Sequence, residues 1–139
     1  MMATVDHTQL LAQCPTFREM HMAGLQVVLQ AAHQRGVERN AFFFHQGEPA
    51  TTFYVLVQGA KLTQVTSEGN QMLMRYAGPG ECFGGIAVLS SAVYTLSAQA
   101  VDDCLALAWD GETLAGLIER YPRIALNMIK VIAGHYRRL

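Results

Sequence analysis

Between Val37 and Leu107 glycine interrupts the chain every ten to twelve residues, at 47, 59, 69 and 80, and then again at 84. The runs between these breaks are short and rich in β-branched and aromatic residues: Ala41–His45, Phe53–Val57, Lys61–Thr66, Gln71–Tyr76, Ser97–Val101 and Leu105–Trp109. Each reads as a strand, and strands recurring at this pitch close into a sandwich or barrel. Ser67-Glu68-Gly69-Asn70 reads as the turn of a hairpin, because Gly69 takes a positive φ at no steric cost.

Helical patterns flank this region. Thr8–Gln13 reads as a short helix stopped before Pro15. Met20–Gln34 reads as a second, with Leu25, Val28, Leu29 and Ala32 on one face and Gly36 ending it. Asp110 is placed to cap a helix through Arg120, and Tyr121-Pro122 opens a last one, since proline suits a first turn. In that helix Tyr121, Ala125, Met128, Ile132, His135 and Leu139 alternate by four and three, the spacing that keeps one seam against a partner helix. The expected fold is mainly β with flanking helices, a double-stranded β-helix or jelly roll followed by a C-terminal dimerisation helix. Its divisions are 1–36 (N-terminal helices), 37–109 (β-roll with a glycine-rich loop at 78–89) and 110–139 (C-terminal helices).

At 139 residues the chain suits one domain. It is 51% hydrophobic and only 15% charged, which hints that some apolar surface is covered by a partner. Its longest apolar runs fall far short of the ~20 residues a membrane span needs. The N-terminus lacks the basic and apolar regions of a signal peptide, so a cytoplasmic location is expected. Net charge is −1 with acids and bases scattered, unlike the concentrated basic face that grips a nucleic-acid backbone. Cys14, Cys82 and Cys104 are far apart with no Cys-x-x-Cys, so neither a zinc site nor a disulfide framework is indicated. The five histidines form no His-x-His pair, and no Gly-x-Ser-x-Gly, Walker or His-Glu-x-x-His motif is present; an enzyme is not expected.

The segment carrying most chemistry is Gly78-Pro-Gly-Glu-Cys-Phe-Gly-Gly-Ile-Ala-Val-Leu89, followed by Tyr94-Thr-Leu-Ser-Ala-Gln-Ala100. A glycine-dense turn leading into a short helix aims backbone N–H groups at an anion. With Gln46-Gly-Glu-Pro-Ala-Thr-Thr-Phe-Tyr-Val-Leu-Val-Gln-Gly59 and Glu68-Gly69, it resembles the effector domain of the Crp-Fnr family, the cyclic-AMP receptor and fumarate-nitrate regulators. The resemblance covers residues 8 to 139 and is nearest in wording to the branch responding to nitrogen oxides. It implies a cyclic-nucleotide-binding-like β-roll, a homodimer through the C-terminal helix, and DNA binding supplied by a helix-turn-helix domain outside this chain.

In nucleotide-binding members the loop reads Gly-Glu-Leu and is followed by Arg-Ser or Arg-Thr, supplying a carboxylate for the ribose hydroxyl and a guanidinium for the phosphate. Here those positions are Gly85 and Tyr94, with Thr95 retained. The resemblance therefore places an effector pocket at Gly80, Cys82, Gly84, Gly85, Ile86, Ala87, Tyr94 and Thr95, while making cyclic nucleotide an unlikely ligand. A phosphodiester buried without a cation would cost several kcal/mol. An uncharged or less anionic effector, a haem held by His45 or His135, or a vestigial filled cavity kept for dimerisation remain open. A stand-alone nucleotide-binding regulatory module that never touches DNA is a further alternative.

Overall fold

The computed structural model describes residues 7–66 and 72–137; Ser67–Asn70 and Leu139 lie outside the described residues. Phe53-Tyr54-Val55-Leu56 is an unbroken apolar run, the pattern of a strand covered on both faces. It forms the centre of β3 (Thr52–Gln58), where all four residues are at most 3% exposed. β3 pairs antiparallel with β8 (Cys104–Asp110) from Thr52↔Asp110 to Gln58↔Leu105, with a bulge between Leu56 and Gln58. Outside this pair lie β1 (His33–Val37) and β6 (Cys82–Phe83), giving the sheet order β1-β8-β3-β6. A second four-stranded sheet runs β2-β7-β4-β5, from β2 (Phe42–Phe44), β7 (Ser97–Ala100), β4 (Lys61–Thr66) and β5 (Met72–Ala77). β4 and β5 pair from Lys61↔Ala77 to Thr66↔Met72, the hairpin that the sequence predicts.

Alternation along β3 and β8 divides the interior in two. Tyr54 and Leu56, with Ala106 and Ala108, face the space between the sheets. There Phe43, Phe44, Phe83 and Tyr94 interdigitate with small Ala98 and Ala100. Phe53 and Val55, with Leu107 and Trp109, face the helices. These are α1 (Thr8–Gln13), the single-turn 3-10 helix Pro15–Phe17, α2 (Met22–Gln30), α4 (Gly111–Arg120) and α5 (Arg123–Arg137). Trp109 is fully buried, and its indole N–H donates to Val28 O at 2.9 Å, tying α2 to the sheet. The Asp110 carboxylate accepts from Thr113 N at 2.8 Å, and that bond holds its pKa below the ordinary value. α4 starts there.

The second helix is shorter than its sequence implies. Instead of running through Gln34 it stops at Gln30, and His33-Gln34-Arg35-Gly36-Val37 becomes β1 on the edge of β8. Four of those five residues are partly or largely exposed, so the strand carries no buried stripe to announce it, and its backbone pairing with β8 decides.

Candidate functional site

The glycine-rich loop is stitched to β3 at both ends. Gly80 N donates to Leu56 O at 2.8 Å and Leu56 N to Glu81 O at 2.9 Å, after which β6 pairs with Tyr54 and Val55. Gly84 then takes φ +92°, and a Cβ there would stand 2.8 Å from Thr52 O. Only glycine lets the chain turn into α3 (Gly85–Leu89) against that carbonyl.

Around α3 the expected pocket residues are arranged differently from a cradle. At Gly85 a Cβ would lie 2.5 Å from Met128 Cε of α5 and 3.1 Å from the Phe53 ring, so the space of a carboxylate side chain is already taken. Tyr94 is 4% exposed and stacks on Phe44 with ring centroids 3.7 Å apart. Its hydroxyl donates to Thr52 O at 2.8 Å and accepts from Thr52 N at 2.9 Å and Thr51 N at 3.2 Å. That oxygen is fully engaged with the start of β3. Ala87 packs on the roll interior, while Ile86 and Thr95 are exposed.

Two of the expected pocket residues, Gly80 and Cys82, line a separate groove of about 790 Å³. It runs between the 3-10 turn, the Gly78–Cys82 loop and α5, with Arg18, Glu19, Arg75, Glu81 and Lys130 on its walls and Asn127 and Gly134 along the helix. Arg75 Nη2 lies 3.3 Å from Glu81 Oε1 across it. Asn127, 4% exposed, donates to Thr16 O at 3.0 Å and Arg18 O at 2.8 Å, fastening α5 to the N-terminal segment.

Cys14 and Cys82, 68 residues apart in sequence, meet at the base of this groove. The buried Cys14 thiol donates to Gly80 O at 3.2 Å and shares a hydrogen bond with the Cys82 sulfur. That bond, with burial and the neighbouring sulfur, pushes Cys14 far above the ordinary thiol range. Cys82 moves the opposite way: donors from the Cys14 thiol and from the Thr16 hydroxyl and backbone N–H favour its thiolate despite burial.

Lys61, on β4, is 3% exposed inside the roll. Its ammonium donates to Thr63 Oγ1 at 2.8 Å and lies 4.9 Å from the centre of the Phe83 ring. Burial lowers its pKa, against the attraction of Glu81. Sequence reasoning missed Lys61 because it reads as an ordinary strand opener. The usable signal is the period of two that puts it on one face with Thr63, opposite Ala98 and Ala100.

His45, the described histidine put forward for haem, is 57% exposed, stacks on Phe42 and sits 3.1 Å from Glu48, away from the groove. The side chain of His135 lies outside the described residues. The C-terminal seam is also divided. Met128 is 6% exposed and turned toward Gly85, so it faces the roll and not outward. Tyr121 lies against Gly24, and Ala125 and Ile132 are half-buried. The cause is the burial face of α5, centred on Ile124, Asn127 and Met128; the apolar residues standing outward are Leu126 and Ile129, 44% and 61% exposed.

No helix among the described residues is long and apolar enough to cross a membrane. The family model of the cyclic nucleotide-binding domain matches residues 34–121. The chain is 30% identical over 129 residues to a Rhodopseudomonas palustris protein provisionally named a potassium channel protein, covering 93% of this chain and 31% of that one. It is 23% identical to the CRP-like cAMP-activated global transcriptional regulator of Mycobacterium tuberculosis, over 94% of this chain and 58% of that one. The crystal structure of Thermus thermophilus catabolite activator protein superposes with a TM-score of 0.84 at 28% identity, covering 89% of this chain and 59% of that one. The chain thus spans between about a third and three fifths of these proteins' lengths. With a family match over most of its residues and an antiparallel roll closed by the same helices, the chain belongs to the cyclic nucleotide-binding domain family, as an effector domain of the Crp-Fnr type.

Proposed function

We propose that this chain is the effector-sensing domain of a Crp-Fnr-like transcription regulator whose effector is not a cyclic nucleotide of the usual kind. The observation that carries the reading is the occupation of the Gly85 position by Met128 and Phe53, together with the commitment of the Tyr94 hydroxyl to Thr51 and Thr52. Neither ribose carboxylate nor phosphate guanidinium is available there. The groove between the Gly78–Cys82 loop and α5 is the alternative seat, suited by its mixed charges to an uncharged or weakly anionic small molecule. It is a binding site, not a catalytic one, and the protein works in the cytoplasm.

Dimerisation through α5 completes the proposal. Leu126 and Ile129 are three residues apart on the outer face, the spacing of a helix–helix seam, while Met128 reaches back to α3. A change in groove occupancy would bias α5 between two packings and so reposition DNA-binding heads carried beyond this chain.

Calorimetric titration with cyclic AMP tests the ligand reading. No heat is expected at micromolar nucleotide; micromolar binding would overturn it and put the nucleotide at α3 despite Gly85 and Tyr94. For the interface, Ile129→Glu is expected to shift sedimentation toward monomer, and an unchanged sedimentation profile would remove α5 from the dimer.

A further inference from the structure

Among the features that this reading leaves unused, the two sulfurs at the base of the groove carry the most. We propose that Cys82 and Cys14 form a peroxide-oxidisable thiol pair that closes to a disulfide, making the domain responsive to oxidants as well as to its effector. Three observations support it. The thiols already share a hydrogen bond, so little movement separates them from a covalent link. Cys82 lines the open groove, where a small hydroperoxide can reach it, while Cys14 is sealed behind it. The surroundings assign different roles: Thr16 and Cys14 surround the Cys82 sulfur with donors that favour the thiolate, while Cys14 stays protonated.

The chemistry balances with a hydroperoxide as oxidant. The Cys82 thiolate attacks one peroxide oxygen; the S–O bond forms as the O–O bond breaks, and the departing oxygen takes a proton to leave as water when the oxidant is hydrogen peroxide. Cys14 sulfur then attacks the resulting sulfenic acid. Its proton passes to the leaving hydroxide, which departs as the second water. Two electrons have moved from the thiol pair to the peroxide, and reduction by an external thiol reverses the change.

The link would be felt by α5. Thr16 donates to the Cys82 sulfur, and its carbonyl accepts from Asn127 of α5. Disulfide formation withdraws an acceptor from the residue that holds the helix.

The third cysteine is an internal control. Cys104 is buried among the residues between the sheets, where its thiol donates to Ala60 O at 3.2 Å. After treatment of the chain with hydrogen peroxide, titration of the denatured protein should find one free thiol where the reduced protein has three. Peptide mapping should join the segments containing Cys14 and Cys82 within one chain, and dithiothreitol should restore all three thiols. Cys104→Ser should leave the link forming. In Cys14→Ser, Cys82 should stop at a sulfenic acid captured by dimedone, and in Cys82→Ser, Cys14 should stay reduced. Iodoacetamide at neutral pH should label Cys82 at least about tenfold faster than Cys104. Persistence of three thiols under peroxide that oxidises free cysteine, a bond through Cys104, or links only between chains would overturn the proposal. Should Cys14→Ser not fold, the thiol count and peptide map of the unsubstituted chain and of Cys104→Ser decide the question alone.

Discussion

The inside of the roll and the groove beside it share β6 and yet differ in almost every physical respect. Inside, five aromatic rings meet four alanines and no room is left, down to a tyrosine hydroxyl with three partners. In the groove, charged side chains stand partly in solvent and a pair of thiols lies at the base. The loop that most resembles a ligand cradle borders the filled region. The accessible volume lies next to it, where the same loop meets α5. A motif specifies how the backbone turns; whether a ligand fits depends on the side chains that arrive from elsewhere.

Removing a ring from the filled side tests this contrast most severely. Phe44→Ala, which takes away the ring stacked on Tyr94, should cost about 3–5 kcal/mol in denaturant unfolding, with a cavity left behind. A loss below about 1 kcal/mol would mean that the interior is loosely packed and open to a ligand after all. Next comes Gly85→Glu, which must displace the Met128 methyl and press on Phe53, at about 1–3 kcal/mol. Adding Met128→Ala should make the two substitutions less costly together than their sum; strict additivity would show that the two positions are not in contact.

Lys61→Met should raise stability at neutral pH by about 1 kcal/mol, because it removes a desolvated cation whose nearest partner is a neutral hydroxyl. The pH dependence has a definite sign. Folding lowers the Lys61 pKa below its ordinary value of 10.5, so between the two values the unfolded chain binds more protons. Stability from this group is therefore complete above the unfolded pKa and lost as pH falls through the folded one. Thermal melts from pH 8 to pH 10.5 should show this alkaline gain in the parent and its absence in Lys61→Met. The smallest effect belongs to the groove. Arg75→Ala breaks an ion pair with 58% of the arginine side chain exposed and should cost less than about 1 kcal/mol, diminishing with salt. A larger loss would make the groove wall a structural element.

The elements with strong local signals were legible. Thr8–Gln13, the Lys61–Thr66 strand and its partner, the Asp110 cap and the last helix all follow from caps, alternation and proline placement. The edge strand from His33 was not, because its polar residues follow directly on a helical stripe and only pairing with β8 reveals it. Gly85 and Tyr94 could be singled out as departures from the family pattern, but not what fills the space: Met128 comes from 43 positions away, and the Tyr94 partners from 42. The cysteines illustrate the same limit. Their separation in sequence reads as isolation, and the α1 exit and the loop bring them together.

The contact between Gly85 and Met128 also bears on descent. Because a side chain at the first position competes for volume with the end of the second, the two sites are one locus as far as selection is concerned. A relative that carries a carboxylate at the equivalent of Gly85 should have a shorter or redirected side chain at the equivalent of Met128. Loss of nucleotide binding and adjustment of the last helix would then leave paired traces in an alignment, and a lineage could recover the lost carboxylate only by giving up the methionine as well.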